Sequence, residues 1–390
     1  MRTYFRGLKI LDFTRLLPGP YATQILADLG ATVVKIESPD GGDYARYLPP
    51  LLGDVGFMFH ALNRNKRSLA LDLKNPEAVE ALKRLLRHYD TVIESFRSGV
   101  MERLGLGYDA LRAVRGDIIY ISLSGYGATG PMAGRAGHDL NLEALSGMSS
   151  VIGRKDVGPV VPGVQVADMA SGLFIAMAAA SAAFRRATSG EGAYIDLSMA
   201  DATLSMMSVW ATEAGTKKVA PGYGEEILSG ASLCYNLYET KDGRHMAVGA
   251  LEPKFWHAVC GVLGAEELCE EGFSEAIPEN PRFRRVREIF LSKTQSEWTD
   301  LFSRVNACVE PVLRLDEAAE HALYRARGMV GTMDINGQKL IAVDTPIDPG
   351  DADSFTAAPT LGANTREILR EAGYEDPEVD RLVEKGVAKV

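Results

Sequence analysis

The sequence predicts an α/β protein built on a mostly parallel sheet, and three observations support this prediction. Short apolar, β-branched runs alternate with segments of helical spacing through the first third of the chain. The first strand–helix–strand unit, residues 8–36, has the size of one βαβ unit. The composition, with 46% hydrophobic and 24% charged residues, is that of an ordinary globular protein. Alternation of this kind is typical of a Rossmann-like sheet with helices on both faces.

The elements of this sheet follow from hydrophobic spacing and from helix-breaking residues. Residues 8–13 form a strand-like run that leads into a turn at Pro18-Gly19-Pro20, and residues 21–29 have helical spacing until Gly30. The same criteria predict strands at 31–36, 68–73, 90–96, 118–123 and 193–197, and helices at 76–87, 108–114, 136–147, 164–187 and 201–212.

The remainder of the chain predicts a smaller α+β unit. The most apolar segment, residues 169–184, is shorter than the ~20 residues needed to cross a bilayer, so it predicts a buried core helix. A looser stretch at 215–230 predicts a linker, and strands at 233–240 and 245–249 form a hairpin that begins the smaller unit. Further elements are expected as helices at 253–263 and 297–305, a strand at 339–343 and a helix at 364–385.

The net charge disfavours some kinds of binding partner, and the cysteine content indicates the cellular compartment. A net charge of -10 disfavours nucleic acid and anionic membranes as main partners. The cysteines form no CxxC pair and their spacing fits no zinc pattern, so we expect reduced, buried thiols. Reduced thiols, and the lack of an apolar run at the N-terminus, are typical of a cytoplasmic protein.

Two nucleotide-binding signatures are missing from a chain that otherwise predicts a Rossmann-like sheet. The turn at 14–20 is not GxGxxG, and the chain has no GxxxxGK[ST] motif, so a nicotinamide or P-loop nucleotide is not supported. Cations at Arg64, Lys66, Arg67 and Arg97 adjoin predicted strands. They indicate either a site for a phosphate-bearing ligand or a solvated basic loop, and the residues alone leave both open.

Three ionisable residues are candidates for chemistry. His138 stands at a predicted helix start, which favours a neutral, basic imidazole and offers backbone N–H groups to an oxyanion. Asp168 lies in an apolar helical segment, where burial raises the pKa of a carboxyl group unless it is paired. Glu252 follows a strand and precedes Pro253 at a helix start. For each of the three, a plain role at a helix terminus is the alternative.

Two types of chemistry fit these residues. Two bases on opposite faces of a carbon acid invert it, because one removes the proton α to a carbonyl and the other returns it. A lone carboxylate at the same place instead attacks an acyl thioester as a nucleophile. Sequence spacing does not choose between these, since the three residues meet only through tertiary folding.

The chain resembles the class III CoA-transferase superfamily (CaiB/BaiF type), which also contains the α-methylacyl-CoA racemases. The motifs that carry the resemblance are at residues 17–20, 26–31, 65–74, 96–100, 103–107, 136–139, 167–168 and 248–253. The resemblance implies a large Rossmann-like domain built from both chain ends, a small domain and an interlocked homodimer. It gives domains at 1–213, 214–330 and 331–390, where the last segment returns to the large domain. It also implies an acyl-CoA thioester substrate, with coenzyme A as part of it, and no other cofactor or metal.

Within the superfamily, the resemblance favours the racemase branch. There, the residues matching His138 and Asp168 are the two acid/base groups, and the residue matching Glu252 supports the histidine. In the transferase branch the aspartate is the nucleophile, and this alternative stays open because Leu142 and the segment 169–171 depart from the racemase pattern. The acyl group and any carboxylate co-substrate are left undetermined.

The resemblance also implies where coenzyme A binds. Lys35 and Arg97 are expected to contact its phosphates, with Arg64, Lys66 and Arg67 as weaker candidates. The adenine and ribose are expected near Leu71, Asp72, Leu73 and Lys74. The thioester is expected against Gly137, Asp139, Leu140, Asn141 and Leu142.

Overall fold

The computed structural model describes residues 2–350 and 352–390, which divide into two compact units. The first unit contains the described residues of 1–146, 164–206 and 319–390, and the second contains 147–163 and 207–318. Compared with the boundaries expected from the sequence, residues 147–163 and 207–213 join the smaller unit, and residues 319–330 join the larger one.

Sixteen strands are found among the described residues and are numbered in chain order. They are β1 (Lys9–Phe13), β2 (Thr32–Glu37), β3 (Leu51–Leu52), β4 (Val55–Gly56), β5 (Arg67–Leu71), β6 (Thr91–Glu94), β7 (Ile119–Ser124), β8 (Gly153–Arg154), β9 (Gly158–Pro159), β10 (Ala193–Ser198), β11 (Tyr235–Glu239), β12 (His245–Gly249), β13 (Val309–Pro311), β14 (Val330–Ile335), β15 (Gln338–Val343) and β16 (Ala388–Lys389).

Sixteen α-helices, also counted over the described residues, connect these strands. They are α1 (Pro18–Asp28), α2 (Phe57–Leu62), α3 (Pro76–Leu85), α4 (Val100–Arg103), α5 (Tyr108–Val114), α6 (Asp139–Leu145), α7 (Val166–Ser189), α8 (Met199–Met206), α9 (Ser208–Lys217), α10 (Pro253–Leu263), α11 (Pro281–Phe290), α12 (Gln295–Phe302), α13 (Leu315–Glu320), α14 (Ala322–Ala326), α15 (Thr365–Glu371) and α16 (Asp376–Glu384).

The first unit is organised around a seven-stranded sheet in the order β10-β7-β6-β1-β2-β5-β16. Its first six strands are mutually parallel, and only β16 runs antiparallel, beside β5. Numbered along the chain, the parallel strands have the order 6-5-4-1-2-3, which is that of the doubly wound fold. The predicted α/β fold with a mostly parallel sheet is confirmed, and β16 brings the end of the chain into this sheet.

Both faces of the sheet are covered, as expected for parallel strands. Ile10 and Leu11 on β1 point to opposite faces, because successive side chains of a strand alternate. Leu11 packs in a cluster with residues of α3, α5, α15 and α16, and Ile10 packs in another with residues of α1 and α7. The second unit has its own three-stranded antiparallel sheet, β11-β12-β13, packed against α10, α11 and α12.

Two predicted helices are each two helices in the structure. The segment predicted as a helix at 201–212 is broken at Met207, between α8 and α9. The segment at 364–385 is broken at Gly373, whose φ of 84° ends α15, while Pro377 lies in the first turn of α16. The second break was readable from the sequence, because glycine ends helices and proline begins them.

Helix α7 is buried on one side only, whereas a buried core helix was predicted for this segment. It is 24 residues long, and among the described residues it alone is long and apolar enough to cross a membrane. One face lies in the core: a Cβ added at Gly172 would come within 2.7 Å of Tyr21 Cδ1, so the small residue permits close packing with α1. The opposite face is exposed at Leu173, Met177 and Phe184.

Candidate active site

Helix α6 holds the first turn of α7 through two carboxylates. Asp139 Oδ1 accepts a hydrogen bond of 3.0 Å from the backbone N–H of Asp168. Glu143 Oε1 accepts a hydrogen bond of 3.2 Å from the backbone N–H of Val166. The first N–H groups of a helix have no partner within it, so these two acids cap α7 from a neighbouring element. They fix the part of the backbone from which the Asp168 side chain projects.

The carboxyl group of Asp168 has an unusual environment. Burial raises its pKa to about 7, and the negative charges of Asp139 and Glu143 act in the same direction. Its side-chain oxygens accept no hydrogen bond from any other described residue, and no described cation forms an ion pair with it. A carboxyl pKa raised toward neutrality suits a residue that both gives and takes protons.

His138 lies directly before α6, as predicted, with its side chain exposed. Its backbone N–H donates a hydrogen bond of 3.0 Å to Asn141 Oδ1. Because Asp139 is both its chain neighbour and the residue bonded to Asp168, the structure brings the predicted histidine and aspartate into one region. Helix α6 has only seven residues, so the oxyanion site expected at its start stays a prediction.

Glu252 belongs to the second unit. It directly precedes α10, its side chain is exposed, and its backbone carbonyl accepts hydrogen bonds from the N–H groups of Phe255 and Trp256. Its expected support of His138 therefore stays a prediction.

Three of the cations expected near phosphates are instead buried in ion pairs. Lys35 is fully buried, with its Nζ 2.8 Å from Asp43 Oδ2 and 2.9 Å from the carbonyl oxygen of Thr14. Lys66 and Arg64 are buried in the same manner, paired with Asp12 and Asp28 at 3.2 Å and 2.7 Å. These groups are already neutralised and have little surface to offer a ligand, which argues against their expected role at the phosphates.

Arg97 fits that role better. It is exposed, just after β6, and it forms no ion pair within the part of the chain that the structure describes. Arg67 is intermediate: its guanidinium is partly exposed but lies 2.8 Å from Glu371.

The contrast between Arg97 and Lys35 gives a paired prediction. We expect Arg97→Ala to raise the KM for a CoA thioester about tenfold, since a charge-assisted hydrogen bond contributes roughly 1.5–3 kcal/mol, and to leave stability unchanged. We expect Lys35→Met to lower the free energy of unfolding by about 3–5 kcal/mol, because it leaves the buried Asp43 carboxylate without its ion-pair partner. Steady-state kinetics and urea denaturation of both variants provide the measurement. The reverse pattern would make Lys35 the ligand.

The segment expected near the adenine and ribose borders a surface pocket of about 330 Å³. Leu73 and Lys74 line it, together with Lys83 and Arg103. Leu71 is buried in β5, and Asp72 Oδ1 accepts a hydrogen bond from the backbone N–H of Lys74. Leu73 and Lys74 are thus placed to contact a ligand in the pocket, whereas Leu71 is a core residue.

Some of the residues expected against the thioester are exposed, and one is buried in the core. Leu140 and Asn141 are exposed, and a Cβ added at Gly137 would lie 2.7 Å from Tyr126 Oη. Leu142, in contrast, is fully buried in the core cluster shared with α1 and α7. Its expected contact with the thioester is not supported, because one side chain cannot both fill the core and line an open site.

The sequence prediction missed Arg15 and Glu143. Arg15 follows β1 at the point where the strand order of the sheet reverses, the usual ligand position in such folds. Its guanidinium lies over the ring of Phe96, 4.9 Å from the centroid, and its backbone N–H donates to Ser95 Oγ. Glu143 could have been found from the sequence, because it lies four residues after Asp139. Like charges at that spacing destabilise a helix unless another interaction compensates for their repulsion.

Comparison with known proteins identifies the family of this chain. The model of the family described as CoA-transferase family III matches residues 5–365. The chain belongs to this family. It is 36% identical over 397 residues to the alpha-methylacyl-CoA racemase of Homo sapiens, covering 98% of each chain. It is also 32% identical over 394 residues to the succinyl-CoA:glutarate CoA-transferase of Mus musculus, covering 98% of this chain and 89% of the relative.

A solved structure agrees with this family III assignment. A CAIB/BAIF family protein from Brucella suis superposes with a TM-score of 0.83 at 28% sequence identity, covering 95% of this chain and all of that one. The fold and the family are therefore established independently. The relatives include both racemases and transferases, so the family alone does not select the reaction.

Proposed function

We propose that this protein is an acyl-CoA racemase that inverts C2 of a 2-methylacyl-CoA thioester. Asp168 and His138 would be the two bases: one removes the C2 proton to give an enolate, and the other protonates the opposite face. The substrate carries its own coenzyme A, and proton transfer of this kind would need no metal or further cofactor. In keeping with the sequence expectation, we propose a cytoplasmic homodimer.

One observation carries the proposal: the Asp168 carboxyl group has a pKa of about 7 and lies in the same region as an exposed histidine. A general acid–base group works best when its pKa is near the working pH, because both of its forms are then present. A racemase needs both the protonated and the deprotonated form of each of its two groups, since each acts as base in one direction and as acid in the other.

The alternative is a CoA-transferase that moves coenzyme A from an acyl-CoA to a free carboxylate. In that reaction Asp168 attacks the thioester, giving a mixed anhydride and then an enzyme thioester. The transferase relatives favour this alternative. A nucleophile must be ionised, however, whereas burial and the charges of Asp139 and Glu143 raise the pKa of Asp168 and so oppose its ionisation. This difference is the physical reason for preferring the racemase.

The test incubates the protein in D₂O with a single enantiomer of a 2-methylacyl-CoA and no free carboxylate. We expect C2 to gain deuterium and to lose enantiomeric purity, as followed by NMR and mass spectrometry. A 2,2-dimethylacyl-CoA, which has no C2 proton, serves as the matched control and should remain unlabelled. Absence of exchange with several acyl lengths, together with CoA transfer when succinate is added, would replace the racemase by the transferase.

A further inference from the structure

Glu143 is a fully buried acid that the proposed reaction does not use. One of its oxygens, Oε1, accepts the hydrogen bond from Val166 N–H, in the first turn of α7. The other, Oε2, is buried and accepts no hydrogen bond from any donor in the described part of the chain, although the Asp139 carboxyl group lies beside it. A buried carboxylate oxygen without a donor is costly, so a chain keeps such a group where its placement serves a purpose.

The neighbour of Glu143 is the acid that holds the catalytic segment. Asp139 and Glu143 are four residues apart and therefore lie on the same face of α6. Asp139 receives the N–H of Asp168, and Glu143 receives the N–H of Val166, two residues earlier. The two carboxyl groups thus hold two N–H groups of the first turn of α7, and Asp168 projects from that turn.

We propose that Glu143 is a positioning residue for Asp168, acting through its hydrogen bond to Val166 and its contact with Asp139. This inference rests on the proposed function, in which Asp168 transfers the proton. Burial, followed by the charge of Asp139, raises the pKa of Glu143. The protonated form can donate its Oε2 proton to Asp139, which lets two adjacent acids share one site without repulsion.

No described cation offers another means of balancing these acids. Asp139, Glu143 and Asp168 form no ion pair with any described residue, and Asp28, on α1, is already paired with Arg64. The other titratable groups on elements packed against α7 are Tyr21 on α1, Tyr120 on β7, Tyr194 and Asp196 on β10, and Asp201 on α8.

Two substitutions separate the hydrogen bond from the carboxyl group. Glu143→Gln keeps an oxygen for Val166 N–H and a donor for Asp139, so it reproduces the protonated glutamic acid. Glu143→Leu keeps a similar volume and removes both interactions. We expect the leucine variant to lower the kcat for inversion about 10- to 100-fold, because a misplaced catalytic group loses rate rather than substrate binding. Its KM should stay within about twofold, and the glutamine variant should keep at least about a third of the wild-type kcat.

A second readout does not depend on turnover. Hydrogen-exchange mass spectrometry of a peptide covering residues 164–172 measures protection of the Val166 and Asp168 amides. Their exchange should be faster in Glu143→Leu and unchanged in Glu143→Gln. Asn280→Ala is the matched control, since it removes a side-chain hydrogen bond from the start of α11 and should change neither kcat nor this peptide.

The outcomes distinguish the two proposals. If the wild type inverts its substrate but the leucine variant keeps its kcat, or loses it without faster amide exchange, Glu143 is not a positioning residue. Equal losses in the glutamine and leucine variants would also overturn the inference, since the hydrogen bonds would then not be what matters. If the wild type shows no inversion at all, the proposed function fails, and the amide exchange still decides whether Glu143 holds α7.

Discussion

Asp168→Asn should lower the rate of C2 inversion by about 10²–10⁴-fold and, at the same time, make the protein more stable at pH 8. The loss of rate is the usual contribution of a positioned acid–base group. The gain in stability follows from the environment that makes this carboxyl group useful, since burial and two neighbouring acids oppose its ionisation.

The pH range of the stability effect follows from the two pKa values of Asp168. The folded value is about 7 and the ordinary value is 3.8, so the folded state holds a proton that the unfolded state releases. Below the ordinary value both states are protonated, and the ionisation costs nothing. As the pH rises from about 4 to 7 the cost grows, and above 7 it reaches about 2–4 kcal/mol. Asparagine never ionises and avoids this cost.

Thermal unfolding of the wild type and of Asp168→Asn at pH 4 and pH 8 measures the effect. The two proteins should unfold at similar temperatures at pH 4, and the variant should unfold at a higher temperature at pH 8. Asp54→Asn is the control, because Asp54 is exposed and should give no difference at either pH. Equal unfolding temperatures at pH 8 would show that the folded protein does not hold Asp168 in a costly environment.

The sheet could be predicted from the sequence because its causes are local. Each strand is an apolar run of the right length, each helix has its own spacing, and the handedness of βαβ connections limits how they assemble. Local sequence patterns also explain why His138 lies at a helix start and Asp168 in the first turn of α7. Where one predicted helix is two in the structure, the break is short: Met207 alone separates α8 from α9, and residues 372–375, including Gly373, separate α15 from α16.

The site was harder to predict because its causes are distant in sequence. Lys35 looked like a phosphate ligand, but its partner Asp43 and the neighbouring Asp12 reach it from other segments and neutralise it in the core. The capping of α7 by Asp139 and Glu143 joins segments more than 20 residues apart, and only the folded chain shows that their carboxyl groups receive its N–H groups. Sequence motifs proposed His138 and Asp168 as the reacting residues, whereas the environment that raises the pKa of Asp168 is visible only in the structure.

His138→Gln should strongly reduce inversion but leave proton exchange on one face of C2. In a two-base mechanism each base faces one enantiomer, so a variant that keeps only Asp168 can still remove and return the C2 proton on its own face. We therefore expect inversion to fall by about 10²–10⁴-fold, while one enantiomer still gains deuterium with its configuration retained. Asp168→Asn should show the complementary pattern, with retained exchange in the opposite enantiomer.

This comparison separates the two candidate reactions more sharply than activity alone. Both pure enantiomers are incubated in D₂O with each variant, and deuterium content and configuration at C2 are followed separately. A transferase that uses Asp168 as its nucleophile would give no C2 exchange in any of these reactions, because its acyl group never loses a C2 proton. Acyl-CoA would instead leave a hydroxylamine-sensitive label on Asp168 in the wild type and in His138→Gln, but not in Asp168→Asn. The opposite enantiomer preferences of the two variants, if observed, assign one face of the enolate to each base.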